Sequence, residues 1–258
     1  MTTQNKINRI IDWLEKYKEE ANCHGVVLGL SGGKDSTVVA MLAKKVWGRN
    51  VFAILMPNGE QADIQDSLKI ANDLQVDWRI VNIESAFNGV INALETPEGW
   101  CGFAKNTDLK ITEKSKTNIA PRIRMAILYA IAQTYGYRVI GTGNASEKYL
   151  GWCTKFGDLG CDLNPIAHLT KSEVVEIGTE LAKEFGLDEK FIVKAPGDGL
   201  TGKTDEDNFG FTYDELDEYI NDPLFNNLSE DKIDRIEAMH KLSYHKCRMP
   251  YTIEDETF

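Results

Sequence analysis

Cysteine is scarce and scattered in this sequence. The five residues, at positions 23, 101, 153, 161 and 247, form an odd set with no C-x-x-C spacing. Neither a disulfide framework nor a zinc site is suggested, and a reducing, cytoplasmic setting is expected. Positive charge is also short: 29 Lys and Arg face 40 Asp and Glu, for a formal net charge of −11. Between residues 205 and 239, twelve acids are offset only by Lys232 and Arg235. This balance argues against a nucleic-acid partner with a broad binding face, although a local basic pocket can exist inside an acidic protein. The N-terminal MTTQNKINRIIDWLEKYKEE lacks a long apolar run and instead spaces Ile7, Ile10, Ile11 and Leu14 as one face of a helix. It reads as neither a signal peptide nor a membrane span. No repeat, low-complexity tract or obvious linker interrupts the chain, so residues 1–258 are expected to form a single domain.

What the chain does contain is a series of short apolar runs: GVVLGL (25–30), VFAIL (51–55), WRIVNI (78–83) and YRVIGTG (137–143). Continuous Val/Ile/Leu runs mark strands covered on both faces, as in a parallel sheet. Helical segments such as SLKIANDL and NIAPRIRMAILYAIAQTYG lie between them. The expectation is a doubly wound, mostly parallel α/β sheet with a helical C-terminal part, in which Thr170-x-x-Glu173 and Thr212-x-x-Glu215 match the capping box. Ligands of such sheets sit beyond the carboxyl ends of the strands, which here carry SGGKDS, MPNGEQ and GTGNASE. Residues 95–116 and the glycine-rich GWCTKFGDLGCD (151–162) lack either periodicity, a pattern typical of functional lids or disorder.

The stretch VVLGLSGGKDSTVVAML (26–42) resembles a kinase-type P-loop but departs from it twice: Leu28 stands where the first glycine belongs, and Asp35 replaces the hydroxyl residue after the lysine. Gly32 and Gly33 still follow a buried strand and open a helix, so bare backbone amides and the positive helix end converge on an anion. Ser31, Ser36 and Lys34 add donors. Asp35 would repel a phosphate unless a divalent cation lay between them, which suits Mg²⁺ and a pyrophosphate group. An ordinary N-terminal cap, with Asp favoured in the first turn, is the alternative.

These residues carry a resemblance. SGGKDS resembles the S-G-G-x-D-S motif of the N-type ATP pyrophosphatases, which cleave ATP between its α and β phosphates to form an adenylated intermediate. Four longer segments, NIAPRIRM, GTGNASEKYLGWCTKFGDLGCDLNPIAHLTK, KAPGDGLTGKTDEDNFGFTYDELD and HKCRMP, resemble successive parts of the ammonia-dependent NAD synthetases, in order and across nearly the whole chain. The resemblance implies an adenine nucleotide α-hydrolase-like (Rossmann-like) fold. It implies that residues 29–36 (Gly29, Leu30, Ser31, Gly32, Gly33, Lys34, Asp35 and Ser36) bind ATP, together with Thr142 and Lys171. Asp35 and Glu147 would be the Mg²⁺ carboxylates. Arg122, Lys155, Asp162, His245 and Lys246 would hold deamido-NAD.

Several of these residues have a plainer alternative. Glu147 completes a possible capping box with Asn144. Thr142 could be a turn residue. Lys171 could be a solvated cation, although a first helical turn disfavours its charge. His245 could serve packing or capping. Asn118 and Arg124 flank the Arg122 helix, and positions 122 and 124 cannot share one face.

The implied reaction amidates the nicotinate carboxylate through an acyl adenylate. Lys155 would assist catalysis alongside Asp35 and Glu147, and 151–162 is the candidate lid. With 258 residues matched by synthetase segments, no glutaminase region is found, so ammonia is the expected nitrogen donor. Family members are homodimers, and α-helical packing at the N-terminus could serve either the dimer or the core. One departure is Gly197, where the family often has Thr or Ser after the proline of KAPGDGL. A tRNA-modifying pyrophosphatase would need a basic face. A non-catalytic nucleotide sensor would not need both carboxylates.

Overall fold

The computed structural model describes residues 1–61, 64–96, 110–193, 205–224, 227–250 and 252–253. The chain opens with α1 (Thr3–Glu20) and then alternates through β1 (Val26–Gly29), α2 (Lys34–Trp47), β2 (Val51–Leu55), α3 (Ile64–Asp73), β3 (Asp77–Ile80) and α4 (Glu84–Glu95). A short α5 (Glu113–Thr117) leads into α6 (Ile119–Tyr135) and β4 (Arg138–Val139). The described remainder is helical: α7 (Ala145–Leu150), α8 (Lys171–Phe185), α9 (Lys190–Val193), α10 (Asp205–Phe209), α11 (Tyr213–Asn221), α12 (Glu230–Ser243) and a closing 3-10 turn over Tyr244–Cys247. Gly197 lies outside the described residues.

The four strands form a parallel sheet in the order β3-β2-β1-β4, with Val26 opposite both Val51 and Arg138 and with Phe52 opposite Asp77. Burial on both faces explains the unbroken apolar runs of β1 and β2, where Val26, Val27, Leu28, Ala53, Ile54 and Leu55 lose all or nearly all their exposure. The third run departs from expectation. β3 begins at Asp77 and all four of its residues are exposed, because it is the sheet edge.

The fourth strand is also shorter than its run, since a loop takes over its outer edge. Val139 N donates to Asp162 Oδ2 at 2.8 Å, Asp162 N donates to Val139 O at 2.8 Å and Gly141 N donates to Leu163 O at 2.8 Å. A side-chain carboxylate thus closes a ladder position that another strand would normally fill.

Helix α2 is buried over Ser36–Ala43 as well as at Val46 and Trp47. Its start is therefore fixed by packing. On α1, Ile7, Ile10 and Leu14 belong to the same main core as α2 and α8. The apolar stripe of the N-terminal helix is thus spent on the protein's own interior. The C-terminal helices add a second core around Phe209, Tyr213, Leu216 and Ile236. In contrast, α4 buries none of its residues and the apolar α6 buries only Ala132.

β1 is the switch point of the sheet, paired with β2 on one side and β4 on the other. The loops after β1 and β4 therefore flank the crevice in which such sheets bind ligands. An open cleft of about 610 Å³, lined by Pro57, Gly59, Glu60, Gln61 and Ile64, adjoins the carboxyl end of β2.

Candidate functional site

The loop after β1 turns at Gly32, which has φ +80°, a left-handed conformation that glycine adopts without strain. A Cβ there would also meet Ser67 Oγ at 2.8 Å. Ser67 Oγ is buried and has no hydrogen-bond partner, so α3 presents an unsatisfied hydroxyl directly behind the loop. Gly33 is the N-cap of α2 and has no side chain to cap with. The serines shape the loop instead: Ser36 Oγ donates to Gly33 O at 3.0 Å and Gly33 N donates to Ser31 Oγ at 3.3 Å. The first-turn amides of α2 have no intrahelical acceptor and remain available to an anion.

Asp35, in the first turn of α2, points to the other side of the crevice. Its Oδ1 accepts from Asn144 Nδ2 at 2.8 Å, and its Oδ2 accepts from Lys171 Nζ at 2.7 Å. Glu147 meets the same ammonium, with Oε1 at 2.8 Å. Asp35 is thereby joined to Asn144, 109 residues away, and to Lys171, 136 residues away, whose ammonium it shares with Glu147. The capping box of α7 is formed as well: Glu147 N donates to Asn144 Oδ1 at 2.9 Å, and Asn144 N reaches Glu147 Oε2 at 3.4 Å. The two readings of Glu147 are thus not exclusive, because its two oxygens have different partners.

Burial and the charge of Asp35 push the Glu147 carboxyl well above the ordinary carboxylate range, against the opposing pull of Lys171. For Lys171, burial works against the charge, but Glu147 and Asp35 more than offset it and raise its pKa. Lys34, half-buried nearby, is lowered first by burial and then by repulsion from Lys171. Tyr213 places its ring 5.1 Å from Lys171 Nζ and donates its hydroxyl to Asp205 Oδ2 at 3.0 Å.

Beneath these groups lies a network that is not apparent from sequence. Asp217, on α11, is buried and accepts from Ser146 Oγ on one oxygen. Its other oxygen accepts from Ser172 N at 2.8 Å and Ser172 Oγ at 2.6 Å. Ser146 Oγ in turn accepts from Lys171 N at 2.9 Å. One carboxylate therefore ties the starts of α7 and α8, which carry Glu147 and Lys171. The sequence marks Asn144 only as a cap, whereas in the structure it bonds both acidic residues. Thr142 stands half-buried in the loop between β4 and α7.

A second group of candidates gathers around 151–162, which consists of turns without helix or strand. Arg122 Nε donates to Lys155 O at 3.3 Å, Lys155 Nζ donates to His245 O at 2.8 Å, and Lys246 Nζ donates to Gly151 O at 2.7 Å and Cys153 O at 2.9 Å. Among the described residues no carboxylate pairs with Arg122, Lys155 or Lys246 within salt-bridge distance. Asn118 joins them by accepting from Thr154 Oγ1 at 2.8 Å. Asp162 is engaged elsewhere, its Oδ1 accepting from Tyr129 OH at 3.3 Å and its Oδ2 closing the β4 edge. Arg124 turns away from Arg122, as their spacing requires, and donates to Met56 O at 3.0 Å.

A glycine-rich loop at the switch point of a parallel sheet, facing paired carboxylates, is the arrangement of a nucleotide-binding α/β enzyme of the ATP-pyrophosphatase type. Comparison with known proteins is more specific: the NAD synthase family model matches residues 6–250, and the chain belongs to that family. It is 39% identical over 250 residues to the NH(3)-dependent NAD(+) synthetase of Carboxydothermus hydrogenoformans, covering 96% of both chains. Among solved structures it resembles NMN synthetase from Francisella tularensis, with TM-score 0.85 and 32% identity, covering 99% of this chain and 100% of that one. It also resembles NH3-dependent NAD synthetase from Campylobacter jejuni, with TM-score 0.77 and 33% identity, covering 98% and 100%.

Proposed function

We propose that the protein is a carbon–nitrogen ligase that amidates the nicotinate carboxylate of deamido-NAD with ammonia, converting ATP to AMP and pyrophosphate. The observation that carries this reading is the meeting of Asp35, Glu147 and Lys171 beside a glycine phosphate loop, in a chain of the NAD synthase family. A carboxylate is a poor electrophile towards ammonia, so it is first activated. Its oxygen forms a bond to the α-phosphorus of ATP, the bond from that phosphorus to the β-phosphate bridge oxygen breaks, and pyrophosphate leaves. Ammonia then forms the amide bond, AMP departs and one proton is released.

In this scheme the first-turn amides of α2, with Ser31, Ser36 and Lys34, bind the departing phosphates and are preorganised for their charge. Thr142 and Lys171 complete the ATP side. Arg122, Lys155, His245 and Lys246 hold the nicotinate substrate, and the 151–162 segment shields the acyl adenylate from water. The donor set fits Mg²⁺: two carboxylates converge on one cation position, and among the described residues no cluster of three or more His, Cys, Asp or Glu forms a closed cage. Mg²⁺ characteristically takes one or two carboxylates and completes its shell with water and phosphate oxygens. Held by Asp35 and Glu147, it would supply Lewis-acid stabilisation of the pyrophosphate charge.

The likeness to the Francisella tularensis NMN synthetase favours a second reading, in which nicotinate mononucleotide is amidated by the same chemistry. The acyl centre is identical, and only the handle differs. A homodimer is the expected assembly, supported by the exposed apolar residues of α4, including Val90 and Leu94. Among the described residues no helix is long and apolar enough to cross a membrane.

The decisive experiment offers deamido-NAD and nicotinate mononucleotide in competition, with ATP, Mg²⁺ and ammonium, and quantifies NAD, NMN and AMP. Predominant NAD supports the dinucleotide reading, and predominant NMN replaces it with the mononucleotide one. ADP in place of AMP overturns both.

A further inference from the structure

Lys171 occupies an unfavourable place for a cation. It is the first residue of α8, where the helix dipole repels positive charge, and it is only 4% exposed. Its ammonium is held there by one oxygen each of Asp35 and Glu147, at 2.7 and 2.8 Å. The remaining oxygens of both acids are turned to Asn144, through its side-chain Nδ2 to Asp35 and its backbone N to Glu147. Asn144 therefore contacts both carboxylates independently of Lys171, firmly at Asp35 and more loosely at Glu147. The oxygens that Lys171 would release are the two that converge on a single point.

An ammonium and a divalent ion cannot share that point, since two cations in a half-buried site repel strongly. We infer that Lys171 is a built-in counter-ion, which neutralises Asp35 and Glu147 in the nucleotide-free protein and transfers to the triphosphate when nucleotide enters. The inference rests on the reading of these two carboxylates as a divalent-ion site. Its consequence is coupling. Without nucleotide, Lys171 has no alternative anion and holds the carboxylates against metal. With nucleotide, the phosphates beside Lys34 offer it a new partner, and the carboxylates become free. The side chain is suited to this exchange, because a lysine ammonium is a point charge on a four-carbon stem that can swing without losing a bidentate geometry.

Mn²⁺ is a suitable probe, because its loss of free electron-paramagnetic-resonance signal counts bound ions without any turnover. The full chain and Lys171→Met are titrated with Mn²⁺, with and without α,β-methylene ATP, and the Mn²⁺ held by the analogue alone is measured without protein and subtracted. The wild type should bind one Mn²⁺ at least tenfold more tightly in the presence of the analogue. Lys171→Met should bind Mn²⁺ without nucleotide at least tenfold more tightly than wild type does, and depend less on the analogue.

If the wild type shows its nucleotide-dependent site but Lys171→Met gains nothing without nucleotide, the counter-ion inference is overturned and the metal reading stands. If the wild type binds no Mn²⁺ even with the analogue, the metal reading fails and the inference with it. Should Lys171→Met not fold, Lys171→Gln, which keeps a donor without charge, is titrated in its place.

Discussion

Replacing Glu147 by Gln separates the two tasks that its oxygens perform. The capping contact, Asn144 N to Oε2, is 3.4 Å long, at the outer limit of a hydrogen bond, so its loss costs toward the low end of the usual cap range, about 0.5 kcal/mol. The contact to Lys171 is charge-assisted, and such bonds are worth about 1.5–3 kcal/mol. Two features soften its loss. Lys171 keeps Asp35 as a partner, and the glutamine carbonyl can still accept one bond. Burial and the nearby Asp35 charge also make a carboxylate costly at position 147, so removing its charge recovers part of what is lost. The net change in stability should therefore be about 1–2 kcal/mol, or a fall in Tm of roughly 2–8 °C for a chain of this size. Catalysis should suffer more: removing one of two charges from the proposed metal site is expected to lower kcat about a hundredfold or more, about 2.7 kcal/mol of transition-state stabilisation. Pyrophosphate release at saturating ATP, read beside a thermal melt, gives both numbers. A rate within about threefold of wild type, with the melt lowered, would refute the reasoning and leave Glu147 as a cap alone.

Four further outcomes follow from the same structure. Gly32→Ala should destabilise by about 1–3 kcal/mol in urea melts and raise the KM for ATP, because φ +80° strains any side chain and its Cβ would meet Ser67 Oγ. Asp217→Asn should lower kcat while leaving the KM for the nicotinate substrate near wild type, since it loosens the starts of α7 and α8 rather than the 151–162 cluster, and Asp217→Glu should not restore it in so tightly buried a place. Burial, with the charge of Asp158 adding to it, pushes the Cys153 thiol from 9.0 to about 12, so its thiolate fraction at pH 8 falls about a thousandfold below that of an ordinary cysteine. Iodoacetamide labelling read by mass spectrometry should leave Cys153 unmodified in the native protein at pH 8, with the rate rising as pH increases. If the proposed homodimer packs through α4, Val90→Asp with Leu94→Asp should shift sedimentation from dimer to monomer without unfolding the chain, because neither residue is buried within it.

Much of the fold was legible because its signals are local. The buried runs at 25–30 and 51–55 correspond to β1 and β2, and the capping boxes at Thr170 and Thr212 are both formed. The exposure of β3 is not legible in its sequence, because an apolar run does not reveal whether a neighbouring strand will cover it. β4 was shorter than its run because Asp162, 23 residues later, pairs with its backbone, which no local pattern shows. The site divides the same way. Asp35, Glu147 and Lys171 were each visible, through a loop, a capping box and a misplaced cation. That they meet at one point is a property of the crossovers. Asp217 gave no signal, since its partners lie 45 and 71 residues away and an acid on an amphipathic helix usually faces water.

The two halves of the site hold their cations in different ways, and this bears on how the proposed reaction begins. Arg122, Lys155 and Lys246 donate to neutral backbone carbonyls, which lack the full opposite charge that a carboxylate or phosphate would offer them. A phosphate or carboxylate entering there exchanges a weak acceptor for a strong one. Little must be broken first, and binding at this half should depend steeply on salt while requiring no metal. Lys171 instead begins between two carboxylates in a nearly closed position. Moving it without supplying a replacement charge would leave two acids uncompensated, and breaking a buried pair in that way typically costs about 3–5 kcal/mol. Nucleotide phosphate and divalent ion therefore have to arrive together, as one complex, for the exchange to be favourable. In the proposed reaction, the nicotinate half is poised and the ATP half is latched. That asymmetry delays the assembly of the phosphate-activating machinery until nucleotide is present.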